Sequence, residues 1–146
     1  MSQRQWIPVT GLVATMLFAI YMVVQLSGQT PAPTADFTNA AVAEVRDAQG
    51  QVVLQGQFVA EEADADIESK ATLKPTTGVG ASGEAELEFA KASPTTQEVE
   101  FSVRGLQAGA TFTFVIDGQE VATASTDRSG NAEVDLDVSM PGSVAK

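Results

Sequence analysis

Neither cysteine nor histidine occurs among the 146 residues of the chain. Without thiols there is no disulfide framework, no iron–sulfur cluster and no thiol nucleophile. Without imidazole there is no Cys/His zinc site and no Ser-His-Asp triad. Positive charge is scarce too, with 8 Lys and Arg against 19 Asp and Glu and a net charge of −11. That balance argues against a nucleic-acid partner, because binding a phosphate backbone needs a basic face.

Charge of either sign is missing from one stretch altogether. Residues 5–35 carry no charged side chain, and only Arg4 precedes them. The other seven basic and all nineteen acidic residues lie in 36–146, leaving that part at 7 − 19 = −12. A membrane segment followed by an acidic extracytoplasmic domain is the natural reading. Within the uncharged stretch, residues 6–26 read WIPVTGLVATMLFAIYMVVQL. As a helix this run spans about 31 Å, matching a hydrocarbon core of about 30 Å. Pro8 falls in the first turn, where a missing N–H costs little, and Trp6 suits the interface. Arg4 and the amino terminus keep residues 1–5 on the cytoplasmic side, so the acidic domain lies across the membrane.

The competing reading is a cleaved signal peptide. Its apolar core is about 7–15 residues, shorter than this one. The exit also lacks a small-x-small site: Leu26 precedes Gly28 by two residues, Ala32 is followed by Pro33, and Pro33 precedes Ala35 by two. A retained anchor is therefore expected. On it, Gly11, Thr15 and Ala19 recur every four residues and form a small-residue stripe for close helix packing. Residues 27–35, SGQTPAPTA, form a linker in which Pro31 and Pro33 favour extended backbone.

From residue 36 the hydrophobic period is two. Glu84, Glu86 and Glu88 alternate with Ala85, Leu87 and Phe89. Val99, Phe101 and Val103 alternate with polar residues, and Val134, Leu136 and Val138 alternate with Glu133, Asp135 and Asp137. Further strands are expected at 41–46, 52–58, 67–73, 111–116 and 119–125. Asp47-Ala48-Gln49-Gly50, Asp117-Gly118 and Asp127-Arg128-Ser129-Gly130 supply turns, with Asp117-Gly118 the strongest hairpin signal. Eight strands in a single core over 36–138 predict an all-β fold, one small antiparallel β-sandwich, with residues 139–146 as a flexible tail. Phe58, Phe89, Phe101, Phe112 and Phe114 are core candidates. Phe37, beside the linker, is placed to plug the bottom of the sandwich. The strand at 98–104 offers an open edge for a partner strand. The stretches VRDAQGQVVLQGQF (45–58) and VIDGQEVATASTDRSGNAEVDL (115–136) both read strand, Asp/Gly turn, strand, taken as repeated hairpin physics and not as an internal duplication.

The run VRGLQAGATFTF at 103–114 resembles the corner of fibronectin type III and related immunoglobulin-like modules, where a Leu-x-Pro-Gly-type loop leads into an aromatic strand. The run TDRSGNAEV at 126–134 is similar to the end of many bacterial immunoglobulin-like surface modules. Ala108 stands in place of the usual proline and Phe112 in place of the corner tyrosine. The resemblance implies an immunoglobulin-like sandwich with an adhesive, spacer or interaction role.

Candidate chemistry is confined to carboxylates. Glu61, Glu62, Asp64, Asp66 and Glu68 crowd into eight residues. Calcium takes about 6–8 oxygen ligands, so this acidic loop is the candidate metal site, with Asp127 or Asn131 as further ligands. The EF-hand template fails, since counting from Asp64 puts Ser69 at the glycine position and Pro75 at the glutamate position. A solvated acidic loop is the simpler account. Glu84, Glu86 and Glu88 fall on one open sheet face, which offers no cavity to raise a pKa for glycosidase chemistry. With no base positioned to activate any Ser or Thr, an enzyme is not expected. No cofactor is expected beyond a possible calcium ion. The sequence thus predicts a non-catalytic protein, single-pass in the cytoplasmic membrane, that binds or supports another envelope protein or self-associates. The alternatives are a calcium-stabilised surface module or a secreted module after cleavage.

Overall fold

Alternation of apolar and polar residues produces nine strands in the computed structural model, which describes residues 34–62, 66–78, 80–90 and 95–141. They are β1 (Val42–Arg46), β2 (Val52–Gln57), β3 (Val59–Glu62), β4 (Asp66–Pro75), β5 (Ser82–Ala90), β6 (Thr96–Arg104), β7 (Thr111–Ile116), β8 (Gln119–Ser125) and β9 (Ala132–Ser139). All pair antiparallel, in the order β8-β7-β1-β2-β4-β5-β6-β9, with β3 also on β4. The terminal strands β8 and β9 lie against each other without a ladder, so the sheet is nearly barrel-shaped. All described residues belong to one compact unit, Ala32–Lys146. Among them no helix is long and apolar enough to cross a membrane. The expected span at 6–26, with Gly11, Thr15 and Ala19, lies outside the described residues.

Eight of the strands are those expected; β3 is the addition. It continues β2 past Phe58 on the same side of β4: Gln55 pairs Lys74 and Val59 pairs Lys70, one unbroken register. Gly56 sits where the backbones close in, since a Cβ there would lie 2.5 Å from the Thr72 carbonyl oxygen. β4 thus serves both halves of the sheet, bonding β2 near Pro75 and β3 along its first half.

The inward faces meet in one core. Phe101 and Phe114, both fully buried, pack edge to face with ring centroids 5.1 Å apart. Val45, Leu54, Leu73, Leu87, Val99 and Val138 surround them. Phe89 and Phe112 are buried as expected, and Phe58 packs against the core while partly exposed.

The two ends of the barrel are built differently. At the end where the described chain begins, Thr34 bridges Ser139 and the Ala35 N–H donates to the Ser139 carbonyl over 3.1 Å. Phe37 is buried there as the expected plug, and its N–H donates to Oε1 of the fully buried Gln97 over 2.8 Å. Thr34 and Ala35, read from the sequence as linker, therefore already pair with the sheet. Ser139 and Met140, read as tail, are held by β9 and by the Thr95 carbonyl.

At the other end two turns use one device. Asp47 Oδ1 accepts from the N–H groups of Gln49 and Gln51, and Asp127 Oδ1 accepts from Ser129 and Asn131. Gly50 and Gly130 close these loops at φ +79°. The shared pattern of the two hairpins is this Asp-x-x-Gly loop. The Asp117-Gly118 turn lies back at the first end, with both residues at positive φ. The Asp117 carboxylate there accepts from the Ala41 and Val42 N–H groups.

The strand read as an open edge is central. β6 pairs β5 on one side and β9 on the other along nearly its whole length. Alternation alone carries no information on neighbours, which is why 98–104 looked available.

Candidate functional site

Period-two alternation sends every second residue of β3 to β6 and of β9 outward, and the register then aligns them. One row runs Glu61, Glu68, Glu88, Glu98, Asp137 across five strands. At about 4.8 Å per strand it covers about 19 Å. The next row runs Val59, Lys70, Glu86, Glu100, Asp135. A third holds Thr72, Glu84, Ser102 and Glu133. Like charges placed directly opposite destabilise a sheet, so this face stores repulsion.

Lys70 is the cation inside the first two rows. Its Nζ pairs with Glu68 at 2.5 Å and lies 3.8 Å from Glu86. Glu68 is lowered from its ordinary pKa by hydrogen bonds from Lys70 and Glu86. Glu86 is raised by burial and by its hydrogen bond with Glu68, against the pull of Lys70. Glu98 is raised chiefly by Asp135, then by burial and by Glu88, Asp137 and Glu100. Among the described residues the register of β1, β2, β7 and β8 aligns no such row, and Glu44 there accepts from Arg46 and Gln55.

The expected acidic loop is largely strand. Glu61 and Glu62 lie on β3, Asp66 and Glu68 on β4, and Asp64 falls outside the described residues. Of the five, the structure brings Glu61 and Glu68 together as register partners. Asp127 and Asn131 sit at the opposite end of the barrel, so they do not join this cluster. Their side chains are spent on the turn, Asn131 Nδ2 lying 3.4 Å from Asp127 Oδ2. Among the described residues no group of three or more acidic side chains is placed to hold a metal ion. Over Glu88, Glu98 and Asp137 there is a shallow depression of about 260 Å³. The sequence showed the acidic stripes of β5, β6 and β9 one at a time; their alignment into rows depends on register.

The raised and lowered groups act in opposite directions with pH. Where the folded pKa is raised, as for Glu98 and Glu86, the native state binds protons more tightly, so stability grows as pH falls toward the raised values. Asp127, lowered by N–H bonds from Asn131 and Ser129, and Asp36, lowered by Thr38, contribute stability above the ordinary carboxylate range. That contribution, like that of Glu68, is lost as pH falls through their folded values. The melting temperature of the full-length protein in mild detergent is therefore expected to rise from pH 7 to about pH 5 and to fall below about pH 4. Glu98→Gln is expected to raise it by roughly 2–4 °C at pH 7 and to flatten the rise. A steady fall from pH 7 to 5 contradicts stored repulsion on this face.

No protein-family model, curated protein or solved structure matches the chain.

Proposed function

We propose that the chain is a non-catalytic accessory protein, anchored in the cytoplasmic membrane by residues 6–26, whose extracytoplasmic domain holds a basic surface of another envelope protein. The domain is read as an immunoglobulin-like sandwich whose two halves share β4. The observation that carries the reading is the row Glu61, Glu68, Glu88, Glu98, Asp137, registered across five strands. Solubility needs scattered charge of both signs, and a single-sign field of this size serves to steer and seat a partner of opposite charge. The small-residue stripe of Gly11, Thr15 and Ala19 adds helix packing in the membrane.

The test is purification of the native full-length protein from its own membranes in mild detergent, with mass spectrometry of what accompanies it. A stoichiometric partner is expected. Its recovery should drop at least about tenfold for the triple variant Glu88→Gln, Glu98→Gln, Asp137→Asn, and again in high salt with the wild type. A complex indifferent to both overturns the acidic-face reading. Gly11→Leu with Ala19→Leu should separately weaken the membrane complex, and unchanged assembly removes the helix contribution.

A further inference from the structure

The barrel end opposite Thr34 carries a cavity of about 460 Å³ that the acidic face does not include. Its apolar lining includes Val53, Leu106, Ala110 and Phe112. Asp47, Gln49 and Gln107 stand around it. The volume falls in the usual range for ligand sites, and apolar residues with a few polar groups are their usual lining.

The cavity is preformed. Buried Thr126 donates its hydroxyl to the Gln107 carbonyl over 2.6 Å and receives the Ala110 N–H at 3.2 Å. The Thr126 N–H donates in turn to the Ala110 carbonyl over 2.9 Å. The loop bearing Leu106, Gln107 and Ala110 is thus pinned to the start of the β8–β9 turn. On the other wall Asp47 uses Oδ1 to shape its own loop, and Oδ2 takes no part in those bonds. Among the lining residues Asp47 brings a carboxylate, Gln49 and Gln107 bring side-chain amides with both acceptor and donor atoms, Thr111 brings a hydroxyl, and none is Lys or Arg.

We propose that this cavity receives an arginine side chain of the partner protein, its methylene stem on the apolar lining and its guanidinium on Asp47. A guanidinium is weakly hydrated, carries five N–H donors in a planar fork and needs acceptors only. Apolar stems with charged heads fit sites of this layout. The −11 charge of the chain draws such a group in. The inference rests on the protein-binding role above and names the side chain that anchors the partner.

The test titrates N-acetyl-argininamide into isotopically labelled full-length protein in detergent micelles, followed by amide chemical shifts. N-acetyl-citrullinamide serves as the uncharged isostere. Saturable shifts are expected at Gln49, Gln107, Ala110 and Thr111, with citrulline at least fivefold weaker. Asp47→Asn keeps the Oδ1 acceptor that shapes the loop and should weaken binding at least fivefold. Ala110→Leu adds bulk to the apolar lining without changing charge and should abolish it. No saturable shift at these amides, equal binding of citrulline, or shifts confined to Glu88, Glu98 and Asp137 overturns the site. The last outcome leaves the acidic-face reading standing, so the two fail separately.

Discussion

Phe101→Ala is expected to cost about 3–5 kcal/mol and to lower the melting temperature by at least roughly 12 °C. Phe101 sits on central strand β6, fully buried, with Val99 and Val103 beside it on the same inward face. Its ring meets Phe114 of β7 across the barrel at 63° between ring planes, so one truncation opens a void shared by both walls. Hydrogen-bonded neighbours on each side hold β6 in place and limit collapse into the void. Phe101→Leu keeps most of the volume and should cost well under half as much. The check is urea unfolding of full-length wild type and variants in mild detergent, read from the midpoint at constant slope. A loss below about 1 kcal/mol contradicts a single shared core.

Gly130→Ala should rank next, at about 3 kcal/mol or more, and the protein carries its own control. Gly130 and Gly50 close the two Asp-x-x-Gly loops with the same φ of +79°. Around Gly50 nothing lies within 4 Å of an added Cβ, whereas at Gly130 the Cβ would stand 2.1 Å from the Leu106 carbonyl oxygen. The Leu106 N–H also donates to the Gly130 carbonyl over 3.0 Å, which ties the β8–β9 turn to the loop after β6. Gly50→Ala measures the left-handed backbone cost alone, about 1 kcal/mol. Gly130→Ala adds displacement of one loop from the other. Equal losses for the two variants, by the same urea assay, would show that the loops are not in contact.

Much of the fold was legible because alternation is a local property. The inward sets of β5, β6 and β9 follow from residues two apart, and their burial agrees with the pattern. The turns at Asp47, Asp117 and Asp127 were equally readable, since Asp side chains bond their own loop and the glycines take positive φ. β3 was hidden because its residues, Val-Ala-Glu-Glu, carry no alternation and become a strand by following β2 along β4. The same blindness made Glu61 and Glu62 look like part of a loop and 98–104 like an edge.

The candidate sites divide in the same way. The sequence determined that this chain is acidic, free of thiol and imidazole chemistry, and built of strands that bury one face and wet the other, because composition and a period of two need no partner. Only the tertiary structure decided which carboxylates stand side by side, that Asp127 lies far from Glu68, and that Asp47, Gln107 and Phe112 share one cavity. Those relations join residues dozens of positions apart, and they are set by strand order and register, which hydrogen bonding and core packing select together.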